Sequence, residues 1–441
     1  MSEPSSDPRP GLVSGDVVDL SIEKAVYQGQ GLGRHQGQVV FVPGAFPGDR
    51  LRVRVSSVSR DYARAAIETV LEPSRERRPA PCRFHVRCGG CSYQELGYEA
   101  QRRIKGAVLA ETLRRGGLAW EEEIEVVASP EQGWRTRARF HLTLRGGTPR
   151  LGLYQAGSRE VVDLDECLQV SAAMNRALGA MRREMEARPD VWRQVHGIEL
   201  AESDLGDRLV AALDTSLPSA QAARLHRLAG AVPDLTGLGV LPGRAGRRSY
   251  LHLKGEPYVT ARVAGLELRA HVGSFFQGNR FLLEPLVREV VDRTPEGGTV
   301  LDLYAGVGLF ALALAGRAER VLAVEHSAAA ARDASFNART AGIGNLRVER
   351  RRVEEMLRSG TAQRSERVIL DPPRTGAGEE VVAAVAARHP ESVVYVSCDP
   401  TTLARDLRRF GALGYRPASI RGFDLFPDTY HLETVVQLLP R

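Results

Sequence analysis

The chain has 441 residues, 43% of them hydrophobic, a net charge of +6 and five cysteines. That length predicts two or three domains with real cores. The sequence shows no apolar run long enough to span a membrane, and so few cysteines in so long a chain argue against a secreted disulfide scaffold.

All but three of the 60 basic residues are arginine; the lysines are Lys24, Lys105 and Lys254. GC-rich coding alone produces such a bias, although the planar arginine fork also suits phosphate. The positive charge is compatible with a polyanionic partner.

Residues 1–11 are polar, hold Pro and Ser, and lack the apolar core of a signal peptide, so they read as a disordered tail on a cytoplasmic chain. Residues 12–71 carry short strand patterns such as Leu51-Arg52-Val53-Arg54-Val55, punctuated by Gly and Pro. Four or five strands in so short a stretch predict a small OB-type barrel. Gly29-Gln30-Gly31-Leu32-Gly33 reads as a hairpin turn, because no parallel strand and helix flank it as a dinucleotide loop requires.

Residues 73–81, rich in Arg and Pro, read as a linker. Cys82, Cys88 and Cys91 follow in Cys-x5-Cys-x2-Cys spacing, with Cys167 downstream. Four thiolates suit zinc and an iron–sulfur cluster alike, and the spacing leaves both open. Residues 93–116 have helical periodicity, and 93–124 are candidates to pack on the catalytic domain. The segment 72–272 as a whole reads as a mixed α+β domain with strands at 136–144 and 150–154 and no legible topology.

From 273 to 441 strand and helix alternate, which predicts a doubly wound, Rossmann-like parallel sheet. Asp302-Leu303-Tyr304-Ala305-Gly306-Val307-Gly308 joins a strand to a helix through glycines, and Glu325 ends the next strand. A carboxylate there can take both hydroxyls of a ribose. This pattern fits a nucleotide dehydrogenase or an S-adenosylmethionine methyltransferase, and the later motifs favour the second. Asp371-Pro372-Pro373 fixes an extended loop after another strand. Cys398 ends an apolar strand immediately before a helix, where α/β enzymes place reactive groups. Taken alone, such a cysteine is more often core, and Glu433 more often a solvated strand-edge residue.

The blocks 302–309, 370–376, 397–407 and 423–433 together resemble those of the RNA 5-methyluridine methyltransferase family. Residues 12–71 resemble its TRAM domain, and Cys82, Cys88, Cys91 and Cys167 resemble its 4Fe-4S site. The resemblance implies S-adenosylmethionine as methyl donor, Cys398 as the nucleophile that adds to carbon 6 of uracil, and Glu433 as the base that removes the carbon 5 proton. It implies a cofactor-binding set of Gln277, Tyr304, Gly306, Glu325 and Asp371, with Asp371 also orienting the base edge or the thiol. Nucleophilic use of Cys398 calls for a shifted thiol pKa.

The expected partner is RNA, 23S rRNA ahead of tRNA, with the target uridine splayed out of its stack, and the expected state is a monomer with no membrane contact. Two positions depart from the family pattern: Ala305 stands where many members have Cys, and Arg352 where many carry Asp or Asn near the adenine. Two rival readings remain: a methyltransferase acting on a protein or small-molecule nitrogen, and a non-catalytic RNA-binding iron–sulfur protein.

Overall fold

The computed structural model describes residues 11–441 except 119, 146–147, 233, 243–248 and 360–365. The N-terminal strands Val17–Val26, Gln30–His35, Gln38–Pro43, Arg50–Val58 and Tyr62–Glu72 form a closed barrel. Alternation decides which face is inside: Leu51, Val53 and Val55 are buried while Arg50, Arg52 and Arg54 are exposed. Of the glycine run only Gly29 lies in the hairpin turn; Gly31 and Gly33 lie in the strand that follows. A Cβ on Gly33 would lie 2.4 Å from the Ser21 carbonyl oxygen, and one on Gly31 would lie 2.7 Å from that of Ala45. Glycine is what lets these strands approach so closely.

The expected linker at 73–81 is instead ordered against the barrel. Arg77 donates to both carboxylate oxygens of the buried Asp49 at 2.8 Å and lies 4.5 Å over the Phe46 ring. Composition announced the prolines there, but the path is fixed by this ion pair together with Ser74 N–H donating to Asp49 at 2.9 Å and Arg78 N–H donating to the Glu95 carbonyl at 2.8 Å.

The middle of the chain holds a seven-stranded sheet in spatial order 251–255, 235–240, 209–215, 195–202, 137–145, 148–154, 161–163. Helix Ala172–Ala187 lays Met174, Met181 and Met185 on it, forming a core with Trp192 and Phe140. The expected helix at 93–116 begins later, as Tyr98–Arg115. The preceding turn is held elsewhere: Tyr93 donates its N–H to the Asp428 carbonyl at 2.8 Å, and Gly97 donates to that of Glu76 at 3.0 Å. Leu109 and Leu113 of this helix share one core with Leu403 and Leu407, and Val126–Val127 adds an edge strand to the C-terminal sheet.

That C-terminal sheet has eight strands in the order 346–350, 320–325, 299–303, 367–370, 392–397, 433–440, 415–423, 126–127. Its first five in that order run parallel. The expectation of a wholly parallel sheet fails at the end: Glu433–Pro440 inserts antiparallel between Ser392–Ser397 and Tyr415–Phe423. The connection 424–432 is too short for the crossover that a parallel pairing needs. This reversal brings the start of the last strand to the carboxyl edge of the parallel ones. Among the described residues no helix is long and apolar enough to cross a membrane.

Candidate active site

The carboxyl ends of the parallel strands open onto a cleft of about 690 Å³. All seven candidates from the catalytic and cofactor-binding sets line it: Gln277, Tyr304, Gly306, Glu325, Asp371, Cys398 and Glu433. Position follows from register. Leu303 pairs with Leu370 and Leu370 with Tyr395, so Tyr304, Asp371 and Cys398 emerge at one edge. Ser397 pairs with Thr434 across antiparallel strands, which sets Cys398 and Glu433 next to each other in register.

The glycine turn forms one wall. Tyr304 has φ +65°, Gly306 +56° and Gly308 +89°. Positive φ is uncommon for a bulky residue, and such strain concentrates at functional sites. Glu325 is locked beneath the turn: Gly306 N–H donates to its Oε2 at 2.9 Å and Ser327 N–H to its Oε1 at 2.6 Å. With one hydrogen bond on each oxygen, the carboxylate keeps lone pairs for two hydroxyls. Arg352 and Glu354 line the same cleft, and the Arg352 side chain is 70% exposed.

The Asp371–Pro372–Pro373 loop is anchored from behind by a residue that sequence reasoning missed. Asp406 Oδ2 accepts from Ala377 N–H at 2.9 Å and from Tyr395 O–H at 2.9 Å. A Cβ on Gly376 would lie 2.5 Å from that oxygen, so only glycine fits at its φ of +76°. The i, i+4 spacing of Thr402 and Asp406 on the helix after Cys398 was the available signal.

Cys398 sits just before helix Pro400–Ala412, whose N-cap Asp399 accepts from Thr401 N–H at 2.8 Å and Thr402 N–H at 3.0 Å. A helix N-terminus lowers a thiol pKa. Here burial outweighs it: with Glu433, Asp371 and Asp399 nearby, the Cys398 thiol is pushed up to about 12, despite the opposing Arg374. That direction is opposite to the lowered value that would prime a thiol as nucleophile. Glu433 is buried, not a solvated edge residue. Burial first, then the Asp371 carboxylate, raises it well above the usual carboxylate range, and burial raises Asp371 too.

The loop 424–432, which delivers Glu433, is clasped at Asp428. Gln101 and Gln169 donate to its two carboxylate oxygens at 2.9 Å each, and Ser92 and Tyr93 N–H groups donate to its carbonyl at 2.8 Å. Lys105, fully buried, donates to Asp424 at 2.5 Å. Asp428→Ala strands two buried amide donors and places alanine at φ +63°. A loss on the order of 3 kcal/mol is expected, read as a lowered denaturation midpoint with reduced turnover. An unchanged midpoint would mean the clasp holds nothing.

Ser92, Tyr93 and Gln169 adjoin the four cysteines, none of which forms a disulfide. Cys88 feels Cys82 and Cys167, and Cys91 feels Cys88 and Cys167; burial is the larger cause of the raised pKa of Cys88, Cys91 and Cys167. Among the described residues no three His, Cys, Asp or Glu converge closely enough to hold a single ion.

The sheet order, the strained glycine turn over a carboxylate, and the cleft at the strand ends define a Rossmann-like methyltransferase fold. Comparison with known proteins is specific. Residues 98–441 match the family described as tRNA (Uracil-5-)-methyltransferase, and residues 13–67 match the TRAM domain. The 23S rRNA (uracil(1939)-C(5))-methyltransferase of Chromohalobacter salexigens is 36% identical, over 95% of this chain and 88% of that one. An uncharacterized RNA methyltransferase of Thermosynechococcus vestitus is 33% identical, over 96% of this chain and 98% of its own length. Among solved structures, the Pyrococcus abyssi tRNA (uracil-54, C5)-methyltransferase in complex with S-adenosyl-L-homocysteine superposes with a TM-score of 0.74 at 25% identity, covering 95% of this chain and 99% of that one. The chain belongs to the RNA (uracil-5-)-methyltransferase family and is an enzyme of that class.

Proposed function

We propose that this enzyme methylates carbon 5 of a uridine in 23S rRNA through a covalent bond between Cys398 and the base. The observation that carries the reading is the register pair: Cys398 and Glu433 share one cleft edge with the Glu325 cradle. S-Adenosylmethionine supplies a methyl group on a positively charged sulfur; Glu325 suits its ribose hydroxyls, and Gln277, Tyr304, Gly306 and Asp371 line the rest of its cleft.

Carbon 5 of uracil is a weak nucleophile. Cys398 gives its S–H proton to solvent water and its sulfur adds to carbon 6, leaving an enolate whose carbon 5 takes the methyl group as S-adenosylhomocysteine leaves. Glu433 then takes the carbon 5 proton, the sulfur–carbon 6 bond breaks, and the double bond returns. Glu433 must be ionised to do so, and burial, which raises its proton affinity, then makes it the stronger acceptor.

The 36% identical relative favours ribosomal RNA; the solved neighbour's tRNA substrate supports the alternative. Deleting the gene and digesting cellular RNA to nucleosides separates them. Loss of 5-methyluridine from 23S rRNA with tRNA intact is expected, and the reverse pattern overturns the ribosomal reading.

Cys82, Cys88, Cys91 and Cys167 hold a 4Fe-4S cluster in this reading. The support is the resemblance of their spacing to the family's cluster site, together with the donor chemistry, since Fe–S clusters are held by four cysteine thiolates. Such a cluster would serve structure or RNA folding rather than redox catalysis, since methyl transfer moves no net electrons. Protein purified without oxygen should be brown and carry about four irons per chain; one zinc and no iron would refute the assignment.

A further inference from the structure

A second cavity, about 480 Å³, lies where the barrel meets the helices Tyr98–Arg115 and Pro400–Ala412. Its lining sets four arginines, Arg64, Arg115, Arg405 and Arg408, against one carboxylate, Glu111. That carboxylate is already engaged, accepting from Lys24 at 2.9 Å and from Arg115 at 2.8 Å. Arg405 is held by Asp406 at 2.9 Å. Arg64 and Arg408 are exposed, and among the described residues neither is paired with a carboxylate. The remaining surface includes two aromatic rings, Tyr27 and Phe41. The volume falls in the range of small-molecule sites and suits one nucleotide, with cations for a phosphate and rings for a base.

One hydrogen bond ties the wall of this cavity to the segment that carries Cys398. Tyr27 lines the cavity and donates its O–H to Asp399 at 2.8 Å, and Asp399 follows Cys398 directly. Arg405 and Arg408 lie about 7 to 12 Å along the helix that begins at Pro400, given the ~1.5 Å rise per residue. That span is about two to four nucleotides of stacked strand at about 3.4 Å each.

We propose that this cavity is a second nucleotide subsite, which holds the phosphate and unpaired base of a nucleotide flanking the target uridine. The inference rests on the reading of RNA as substrate. It adds what that reading lacks: a place where a neighbouring nucleotide is gripped while the uridine is drawn into the catalytic cleft. Splaying one base out unstacks its neighbours, and an aromatic platform with arginines that no carboxylate neutralises offsets that loss; Arg64 itself lies 5.5 Å over the Tyr62 ring.

The test uses the full-length protein and a fluorescein-labelled oligouridylate of about 15 nucleotides, near the upper end of known single-strand site sizes. Charge reversal of Arg64→Glu with Arg408→Glu is expected to weaken binding at least ~10-fold at physiological salt. The slope of log affinity against log salt should fall by about 1.4, at about 0.7 for each phosphate no longer neutralised. The neutral pair, Arg64→Gln with Arg408→Gln, should show the same slope change with a smaller loss of affinity. Melting temperature and S-adenosylhomocysteine binding should match the parent's in both. Unchanged affinity and slope in the neutral pair would overturn the subsite, and so would uridine monophosphate binding that the substitutions abolish while oligouridylate binding stays intact, since the cavity would then serve a free nucleotide. A parent that grips the oligouridylate in this arginine-dependent way but methylates no RNA would sink the substrate reading and leave the subsite standing.

Discussion

Replacing Cys398 with Ala is expected to abolish methyl transfer, by about 10⁴-fold or more, the scale on which covalent enzymes lose rate without their nucleophile. Cofactor binding and folding should survive, because alanine fills most of a half-buried thiol's place and Glu325 is untouched. RNA carrying 5-fluorouridine sharpens the test. Fluorine cannot leave carbon 5 as a proton does, so the parent should form an adduct stable to denaturing gel electrophoresis, and Cys398→Ala should form none. Substantial turnover by the variant would remove the covalent mechanism.

The same thiol makes a pH prediction. Burial and three carboxylates push Cys398 up to about 12. The reactive thiolate fraction then grows about tenfold per pH unit below that value. Alkylation of the free enzyme by iodoacetamide should therefore rise steadily from pH 7 to 9 with no plateau. Bound S-adenosylmethionine carries a positive charge that opposes those carboxylates, so its presence should shift the curve toward lower pH. A plateau near neutrality in the free enzyme would show a thiolate already formed.

Much of this site was legible in the chain because its parts lie at strand ends. Strand, glycine turn and helix are local patterns, and Glu325, Asp371 and Cys398 each follow an apolar run that had to be a buried strand. What the sequence withheld was long-range. Nothing local shows that Glu433 is buried, since its burial comes from the last strand inserting between two others. Nor does local pattern reveal Asp406 behind the Asp-Pro-Pro loop, or Asp428 bridging the cysteine turn and the loop that carries the base. The ordered path of residues 73–81 was hidden for the same reason: the Arg77–Asp49 pair joins residues 28 apart in sequence. The direction of the Cys398 shift was hidden too. A helix N-terminus argues for a low value, and it is burial of the sulfur, with carboxylates gathered around it in three dimensions, that reverses it.

Glu433→Gln should separate chemistry from stability in opposite directions. The carboxylate acts after methyl transfer, so turnover should fall about 10²- to 10⁴-fold, the range for a lost general base. Methylated RNA should accumulate still bonded to Cys398, visible as a slow-migrating species carrying label from the methyl donor. Stability should move the other way. In the folded protein Glu433 holds its proton above the usual carboxylate range, because burial and Asp371 disfavour its charge. The folded state therefore binds more protons than the unfolded state once pH exceeds the ordinary glutamate value near 4.3. By linkage, stability falls as pH rises from there to the raised folded value, and the penalty is complete above it. Glutamine cannot ionise and escapes the penalty. The variant should melt above the parent at pH 8, with the gap closing toward pH 4. A parent that melts as high as Glu433→Gln at pH 8 would show that Glu433 bears no burial strain, and the case for it as a proton-hungry base would fall with that result.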